Sequence, residues 1–269
     1  MALPLFDPTL DPGPNFTALL EREGVLQLAP SNDHGVSVAH GTTVLSLRFD
    51  KGVIMAGDRR ATEGHSIAHR AMEKVFPADR YSAVAIAGSA GMAVEMVKLF
   101  QVQLEHYEKV EGVTLSLEGK ANQLAQMVRA HLPLAMQGFV VVPLFCGFDL
   151  SRDTGRIFTY DAAGGHYEET DFQATGSGGR DARTTIKLGY RDDLTEDEAI
   201  ELAVLALYEA ADADSATGGP DVVRGIFPIV ASVTADGYVQ IQEDRIAERF
   251  ESALAYRRSM GGNAGNTLR

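Results

Sequence analysis

The order in which strand and helix patterns follow one another limits the fold of this chain more than any other feature. Blocks of strand-like segments are separated by pairs of helical segments, and a final pair of strands follows the second helix pair. Alternating βαβ units would place single helices between single strands, so they do not fit this order. The order predicts an α+β fold in which helices cover two antiparallel sheets from the outside.

Local patterns give the bounds of these elements. The first strand alternates apolar and polar residues, as a half-buried strand does. Thr195 and Glu198 form a capping box ahead of their helix. Asp236 and Gly237, between the last two strands, are typical of a type I′ hairpin turn. The predicted strands are 43–49, 53–57, 81–89, a strand-rich stretch at 139–175, 226–234 and 238–242; the predicted helices are 93–104, 117–132, 180–190, one starting at 195, and a short one at 246–258.

Composition narrows the class of protein. The 269 residues are 45% hydrophobic and 23% charged, which fits one large soluble domain with appendages. No apolar run approaches the ~20 residues that a membrane-spanning helix needs. A net charge of −13 without a basic cluster argues against nucleic acid as a partner. The histidines show no paired ligand spacing, so we expect neither a metal site nor a cofactor.

The single cysteine, Cys146, excludes an internal disulfide and fits a reducing cytoplasm. It lies within an apolar run, 140–148, which favours a buried core thiol over a nucleophile. The sequence therefore predicts a cytoplasmic protein.

The first 41 residues differ from the rest of the chain. They contain five of the ten prolines and one basic side chain, Arg22, against five acidic ones. This composition predicts a flexible leader. A disordered tail that is never removed is the alternative that composition leaves open.

The junction between Gly41 and Thr42 is where the regular pattern begins. A strand-like run follows the two threonines at once. If the Gly41–Thr42 bond is cut, Thr42 carries a hydroxyl nucleophile and its own α-amine as a base, and the pKa of that amine is about 8. By itself the Gly-Thr-Thr pattern is weak evidence for such a nucleophile, because an ordinary loop can enter a strand with the same residues.

Further short motifs occur in order along the chain, and together they identify a family. The chain resembles the catalytic β subunits of the proteasome over essentially all of 42–258. The bacterial type is the most similar, through 106–109, 135–138 and 218–221. The motifs that carry the resemblance are Gly41-Thr42-Thr43, 56–62 (Ala-Gly-Asp-Arg-Arg-Ala-Thr), Lys74, 87–90 (Ala-Gly-Ser-Ala), 176–178 (Gly-Ser-Gly) and 214–218 (Asp-Ser-Ala-Thr-Gly).

The resemblance implies a role for each catalytic residue. Thr42 is the nucleophile, and Asp58 pairs with Lys74 beside it. The backbone N–H of Gly88 is the oxyanion-hole donor. Ser177 and Asp214 support the new α-amine and relay protons. Without the resemblance the same residues have ordinary structural interpretations. Asp58 and Lys74 would form a surface ion pair, and Gly88 would lie in a strand-to-helix turn. Ser177 would be a helix N-cap and Asp214 a helix-end residue.

The resemblance also implies how substrate binds. Thr62 binds the substrate backbone in an extended pose. The pocket for the side chain before the cut is apolar, so hydrophobic residues are preferred there. Core packing is the alternative for each of its five expected lining residues, which are Ala61, Met72, Ile86, Ala90 and Val94.

The implied architecture is the N-terminal nucleophile hydrolase fold, a four-layer αββα sandwich. Its domains are a propeptide at 1–41, a catalytic domain at 42–258 and a flexible tail at 259–269. The implied partners are other copies of the chain in a heptameric ring, proteasome α subunits, a ring-shaped ATPase unfoldase and unfolded protein substrates, with no membrane or nucleic acid. A non-catalytic ring subunit of the same fold, a phosphate-binding module and a shorter two-ring protease relative are the alternatives.

Overall fold

Two five-stranded antiparallel sheets form the centre of the structure, a computed structural model that describes residues 41–63 and 66–262. The first sheet has the order β10-β1-β2-β11-β12, and the second has the order β5-β6-β7-β8-β9. A small two-stranded sheet, β3-β4, joins them along the chain. The strands are β1 Thr43–Phe49, β2 Gly52–Gly57, β3 Ala61–Glu63, β4 Ser66–His69, β5 Val75–Asp79, β6 Ser82–Gly88, β7 Val141–Asp149, β8 Thr154–Tyr160, β9 His166–Glu169, β10 Phe172–Gly176, β11 Ile229–Thr234 and β12 Gly237–Gln240.

The helices cover the outer faces of the two sheets. They are α1 Ala90–Glu111, α2 Leu117–Ala135, α3 Gly179–Gly189, α4 Glu196–Ala213 and α5 Glu243–Gly262. Helices α1 and α2 pack on the second sheet, and α3 and α4 pack on the first. Helix α5 packs against α4. Counted outward from the middle, these are the four αββα layers that the resemblance implies, so the predicted fold class is confirmed.

Side-chain alternation along β1 and β2 separates two of the three core layers. Leu45 and Leu47 point into the layer between the first sheet and its helices, whereas Val44 points into the layer between the sheets. The prediction of a half-buried β1 is wrong, because both faces of the strand are covered. Ser46 is fully buried, and its hydroxyl donates to the Ile54 carbonyl at 2.8 Å. That hydrogen bond lets a polar residue occupy a core position.

Several predicted bounds need correction. Strands β3, β4 and β5 were not predicted, because they are short and lack clear alternation. Strand β11 begins at Ile229, and Ile226 instead forms an isolated bridge with Asp221. The last helix begins at Glu243 and ends at Gly262, so it extends beyond both predicted ends and into the segment predicted as a tail.

The predicted type I′ turn between β11 and β12 is wrong. That turn requires positive φ at both central residues, whereas Asp153 is the one non-glycine residue with positive φ in the described ranges. Here Thr234 pairs directly with Gly237, and Gly237 carries the positive φ of 117°. The glycine of the Asp-Gly pair therefore closes the turn instead of forming its centre.

Two local predictions are confirmed. The capping box of α4 is complete, with reciprocal hydrogen bonds between Thr195 and Glu198. Cys146 is fully buried on β7, and burial raises the pKa of its thiol to about 12. Residues 1–40 of the predicted leader, 1–41, and residues 263–269 of the predicted tail lie outside the described residues.

Candidate active site

The junction of Gly41 and Thr42 is fixed by backbone contacts at the entrance to β1. The N–H of Ser177 donates to the Thr42 carbonyl at 2.9 Å. Gly176 has a φ of +98°, and a Cβ there would lie 1.9 Å from that same carbonyl oxygen. A Cβ on Gly41 would lie 2.5 Å from Thr62 Oγ1 and 2.9 Å from the Ala216 carbonyl oxygen. Glycine is therefore needed at position 41, before Thr42, and at position 176, which lies against the Thr42 carbonyl.

The Thr42 hydroxyl lies beside the carbonyl of the bond that precedes it. Its Oγ1 donates to the Gly41 carbonyl oxygen at 2.7 Å, and the residue is only 5% exposed. The Lys74 ammonium donates to the same oxygen at 3.2 Å. A hydroxyl and a cation thus meet at one peptide carbonyl.

Asp58 and Lys74, which the sequence places sixteen residues apart, form a buried ion pair. Asp58 follows β2 and Lys74 precedes β5, and their side chains are 0% and 3% exposed. Lys74 Nζ lies 2.6 Å from Asp58 Oδ1 and also donates to the Arg60 carbonyl. With the Gly41 carbonyl, these acceptors satisfy all three ammonium protons.

The pKa of Lys74 lies below its usual value. Burial is the largest cause, because it penalises the charged form. The Asp58 carboxylate opposes this effect, and the nearby Arg60 guanidinium adds to it. A lysine with a lowered pKa gives up or shares a proton more readily than a surface lysine.

The Asp58 carboxylate is held by four donors. Besides Lys74, its Oδ1 accepts from the N–H of Thr43 at 2.8 Å. Its Oδ2 accepts from the N–H groups of Arg60 and Gly218, each at 2.9 Å. A buried charge is tolerable only when it is paired and hydrogen-bonded in this way.

Asp214 forms a second polar cluster at the C-terminal end of α4. Its Oδ2 accepts from Ser177 Oγ at 2.5 Å and from Thr217 Oγ1 at 2.6 Å, and its Oδ1 accepts from the Ala216 N–H at 3.1 Å. Burial by itself would raise the pKa of Asp214, but these hydrogen bonds outweigh it and lower the pKa below the usual value. Ser177 Oγ lies 3.4 Å from the Thr42 carbonyl oxygen, so the cluster reaches Thr42 through its carbonyl.

Gly88 ends β6 in a conformation that other residues rarely adopt. Its φ is +115°, and a Cβ would lie 2.1 Å from the Val140 carbonyl oxygen. With the Gly41–Thr42 bond intact, the hydrogen bonds to the Gly41 carbonyl come from Thr42 and Lys74. The role of Gly88 as an oxyanion donor stays a prediction.

The expected substrate-binding residues have different environments. Thr62 lies next to Gly41, as the close approach of its Oγ1 demonstrates. Ala61 is buried, and Ile86 packs in the core between the second sheet and its helices. Ala90 and Val94 lie one turn apart on α1 and are partly exposed, as is Met72. Their grouping into a single substrate pocket stays a prediction.

The sequence did not predict two sets of contacts in this site. The Arg60 carbonyl accepts from Lys74, and the Arg60 N–H donates to the Asp58 side chain. The second contact could have been predicted, because an Asp side chain often accepts from the backbone N–H two residues later in an Asx turn. The Thr43 hydroxyl contacts both Gly178 and Thr217, whereas the sequence placed Thr43 in the Gly-Thr-Thr motif without a role for its hydroxyl.

A cavity of about 710 Å³ lies at the other end of the sandwich. Its lining includes Phe49 and Gly52, the ends of β1 and β2 that are farthest along those strands from Thr43 and Gly57. None of the predicted site residues lines it. In the described part of the chain, no group of three or more His, Cys, Asp or Glu side chains is placed to hold a metal ion.

Comparison with known proteins identifies the family of this chain. The sequence profile of the family described as "Proteasome subunit" matches residues 38–224. The chain belongs to the proteasome subunit family. Membership implies a peptidase of the hydrolase class that assembles into rings with other proteasome subunits.

Relatives place this proteasome subunit among the β type. It is 64% identical over 250 residues to the proteasome subunit beta of Acidimicrobium ferrooxidans, covering 92% of each chain. It is 58% identical over 228 residues to that of Streptomyces griseus, covering 85% of this chain and 81% of the relative. It is 55% identical over 225 residues to that of Frankia casuarinae, covering 84% and 82%. Within 41–63 and 66–262, no helix combines the length and apolar character needed to cross a bilayer.

Proposed function

We propose that this β subunit is a threonine endopeptidase that activates itself by cutting its own Gly41–Thr42 bond. The observation that carries the proposal is the meeting of the Thr42 hydroxyl and the Lys74 ammonium at the Gly41 carbonyl oxygen, at 2.7 and 3.2 Å. A hydroxyl is a poor nucleophile unless a neighbouring base takes its proton. The burial that lowers the pKa of Lys74 favours that exchange.

Self-cleavage proceeds in two steps. With Lys74 in the amine form that its lowered pKa favours, Thr42 Oγ1 attacks the Gly41 carbonyl carbon and gives its proton to Lys74 Nζ, which later returns it to the Thr42 nitrogen. The C–N bond of the Gly41–Thr42 peptide then breaks, the Thr42 nitrogen takes up a proton, and Gly41 is held as an ester. Water hydrolyses that ester, which releases residues 1–41 as the propeptide and leaves Thr42 with a free α-amine.

Substrate hydrolysis repeats this chemistry on another chain. Thr42 Oγ1 attacks the substrate carbonyl carbon, and the α-amine takes the hydroxyl proton and passes it to the departing nitrogen as the C–N bond breaks. The acyl-enzyme ester that remains is then hydrolysed by water. Lys74 and Asp58 supply the fixed charge beside the hydroxyl, and the Gly88 N–H binds the developing oxyanion. Ser177 and Asp214 position the α-amine and exchange protons with it. No cofactor or metal takes part in this scheme.

The substrates of the proposed enzyme are unfolded proteins. Thr62, adjacent to Gly41, binds the extended substrate backbone. Ala61, Met72, Ile86, Ala90 and Val94 form the pocket for the side chain before the cut. Because all five are apolar, peptides with a hydrophobic residue at that position are expected to be cleaved fastest.

The working form is proposed to be a closed cytoplasmic particle. The chain forms heptameric rings that stack and are capped by proteasome α subunits, and a ring-shaped ATPase unfoldase delivers the substrates. Residues 42–258 form the catalytic domain within the ring, and 259–269 form a C-terminal extension. Enclosure restricts the protease to chains that have already been unfolded.

Intact mass and N-terminal sequencing of assembled particles test the nucleophile. The wild-type chain is expected to begin at Thr42, while Thr42→Ala keeps its leader and hydrolyses no fluorogenic peptide. Thr42→Ser is the matched variant, since it retains a hydroxyl and is expected to self-cleave. A non-catalytic ring subunit would assemble without releasing 1–41, and a wild-type start at any other residue would refute the proposal.

A further inference from the structure

Thr43 has a fully buried hydroxyl whose hydrogen bonds can be assigned a direction. The residue opens β1 opposite Gly176 and is 0% exposed. Its Oγ1 accepts from the Gly178 N–H at 2.9 Å, which leaves its own proton available. It lies 2.6 Å from Thr217 Oγ1, whose single proton goes to the ionised Asp214 carboxylate at 2.6 Å. Thr43 must therefore donate to Thr217.

The result is a directed chain of donors that ends on a site residue. It runs from the Gly178 N–H through Thr43 and Thr217 to Asp214 Oδ2, which also accepts from Ser177. Successive hydrogen bonds of this kind polarise and strengthen one another. Removing the Thr43 hydroxyl would leave the Gly178 N–H without its acceptor and Thr217 without its donor, both in a buried place.

The surrounding backbone is built around these two hydroxyls. A Cβ on Gly178 would lie 2.6 Å from Thr217 Oγ1 and 2.8 Å from Thr43 Oγ1, so a larger residue would displace one of them. The Thr43 N–H also donates to Asp58 Oδ1, and the Thr43 carbonyl oxygen accepts from the Asp58 N–H at 3.0 Å. One residue thus contacts both carboxylate clusters, the first through its backbone and the second through its side chain.

We propose that Thr43 is a positioning residue for peptide hydrolysis, whose hydroxyl holds Thr217 as a donor to Asp214 beside Thr42. This inference rests on the proposed function of Thr42 and Asp214. It assigns the second threonine of the Gly-Thr-Thr sequence a role distinct from that of the first. Because Thr43 is fully buried and offers no surface to a substrate, the effect is expected in turnover and not in substrate binding.

Thr43→Val and Thr43→Ser separate the hydroxyl from the shape of the side chain. In mature particles assayed with a fluorogenic peptide, Thr43→Val is expected to lower kcat about tenfold, the cost of one buried hydrogen bond left unmade, with KM unchanged. Thr43→Ser is expected to restore kcat to near the wild-type value. Ser46→Ala is the control, because it removes another fully buried hydroxyl from β1 without touching the site.

Each outcome decides the role of Thr43. A wild-type kcat in Thr43→Val, an equal loss in Ser46→Ala, or a loss that appears in KM alone would overturn it. If Thr43→Val does not assemble, Thr43→Ala is assayed in its place, since the smaller side chain fits without strain. Failure of both to assemble would make Thr43 purely structural and would also overturn the proposal.

The proposal for Thr42 is checked separately in the same series. A wild-type chain that begins at Thr42, together with an inactive Thr42→Ala chain, would leave the proposed function standing whatever Thr43 does. A wild-type chain that begins elsewhere would remove the basis for both.

Discussion

Asp58 and Asp214 are two carboxylates held beside Thr42 in opposite ways. Asp58 is fully buried, and a lysine ammonium and three backbone N–H groups surround it. Asp214 is partly exposed at the end of a helix, and two hydroxyls and one backbone N–H hold it. The first arrangement fixes a charge in place, whereas the second holds a charge with groups that can both donate and accept protons.

This difference fits two different tasks in one reaction. A charge that is locked by four donors keeps the electrostatics of the hydroxyl constant, which is the condition for preorganised catalysis. Hydroxyls can reverse the direction of their hydrogen bonds, so the Asp214 cluster can follow a proton as it moves. We therefore expect substitutions in the first cluster to affect both stability and activity, and substitutions in the second to affect mainly activity.

The largest effect is expected for Lys74→Ala. The variant removes the ammonium from the Gly41 carbonyl and leaves Asp58 as a buried charge without a counter-ion. Self-cleavage and peptide hydrolysis should both be abolished, and unfolding should be easier by about 3–5 kcal/mol. A gel shift reports self-cleavage, a fluorogenic peptide reports hydrolysis, and urea unfolding in a Thr42→Ala background reports stability.

Lys109→Ala provides the matched control for that variant. Lys109 also forms a lysine–carboxylate pair, with Glu105 at 2.5 Å, but both side chains are mostly exposed. Exposed pairs of this kind contribute little. Lys109→Ala should therefore mature and hydrolyse peptides as the wild-type chain does. Normal maturation and turnover in Lys74→Ala would reduce Lys74 to a structural partner of Asp58.

A direct test of the comparison comes from replacing each carboxylate by its amide. Asp58→Asn leaves Lys74 buried without a counter-ion and should destabilise the chain by about 3–5 kcal/mol. Asp214→Asn should change the unfolding midpoint little, because the group is partly exposed, while it lowers kcat by about tenfold or more, as loss of a positioned proton-transfer group does. Equal destabilisation by the two variants would contradict the distinction drawn above.

The sequence predicted the first cluster more completely than the second. Its residues flank the ends of strands and belong to the motifs that carry the family resemblance, so Thr42, Asp58 and Lys74 could be named and are indeed brought together. What the sequence could not provide was the direction of hydrogen bonds between side chains far apart in the chain. The contact between Thr43 and Thr217, 174 residues apart, depends on how α4 ends against β1.

The fold was predictable to a similar degree and for related reasons. The long apolar patterns of α1, α2 and β7 gave their type and order, because burial on one or both faces leaves a clear period in the sequence. The short strands β3, β4 and β5 carry no such period, since β4 is exposed along its whole length and the pairings of β3 and β5 each contain a register shift. The same limit applied to the turn at Gly237, whose type depends on strand register.

The smallest effect is expected in the acid unfolding of the chain. Hydrogen bonds hold the pKa of Asp214 below its usual value in the folded state. A carboxyl group of this kind contributes stability that is complete above its unfolded pKa of about 4 and that is lost as the pH falls through its folded pKa. The unfolding midpoints of Thr42→Ala and of Thr42→Ala with Asp214→Asn should therefore differ slightly at neutral pH and converge below about pH 4. The gap must be small because solvent reaches the carboxylate, and hydroxyl donors exchange easily with water. A gap that widened as the pH fell would mean that Asp214 is protonated more readily in the folded chain than in the unfolded chain. Asp214 could then not be described as a charge held by hydroxyl groups, and its contrast with Asp58 would have to be abandoned.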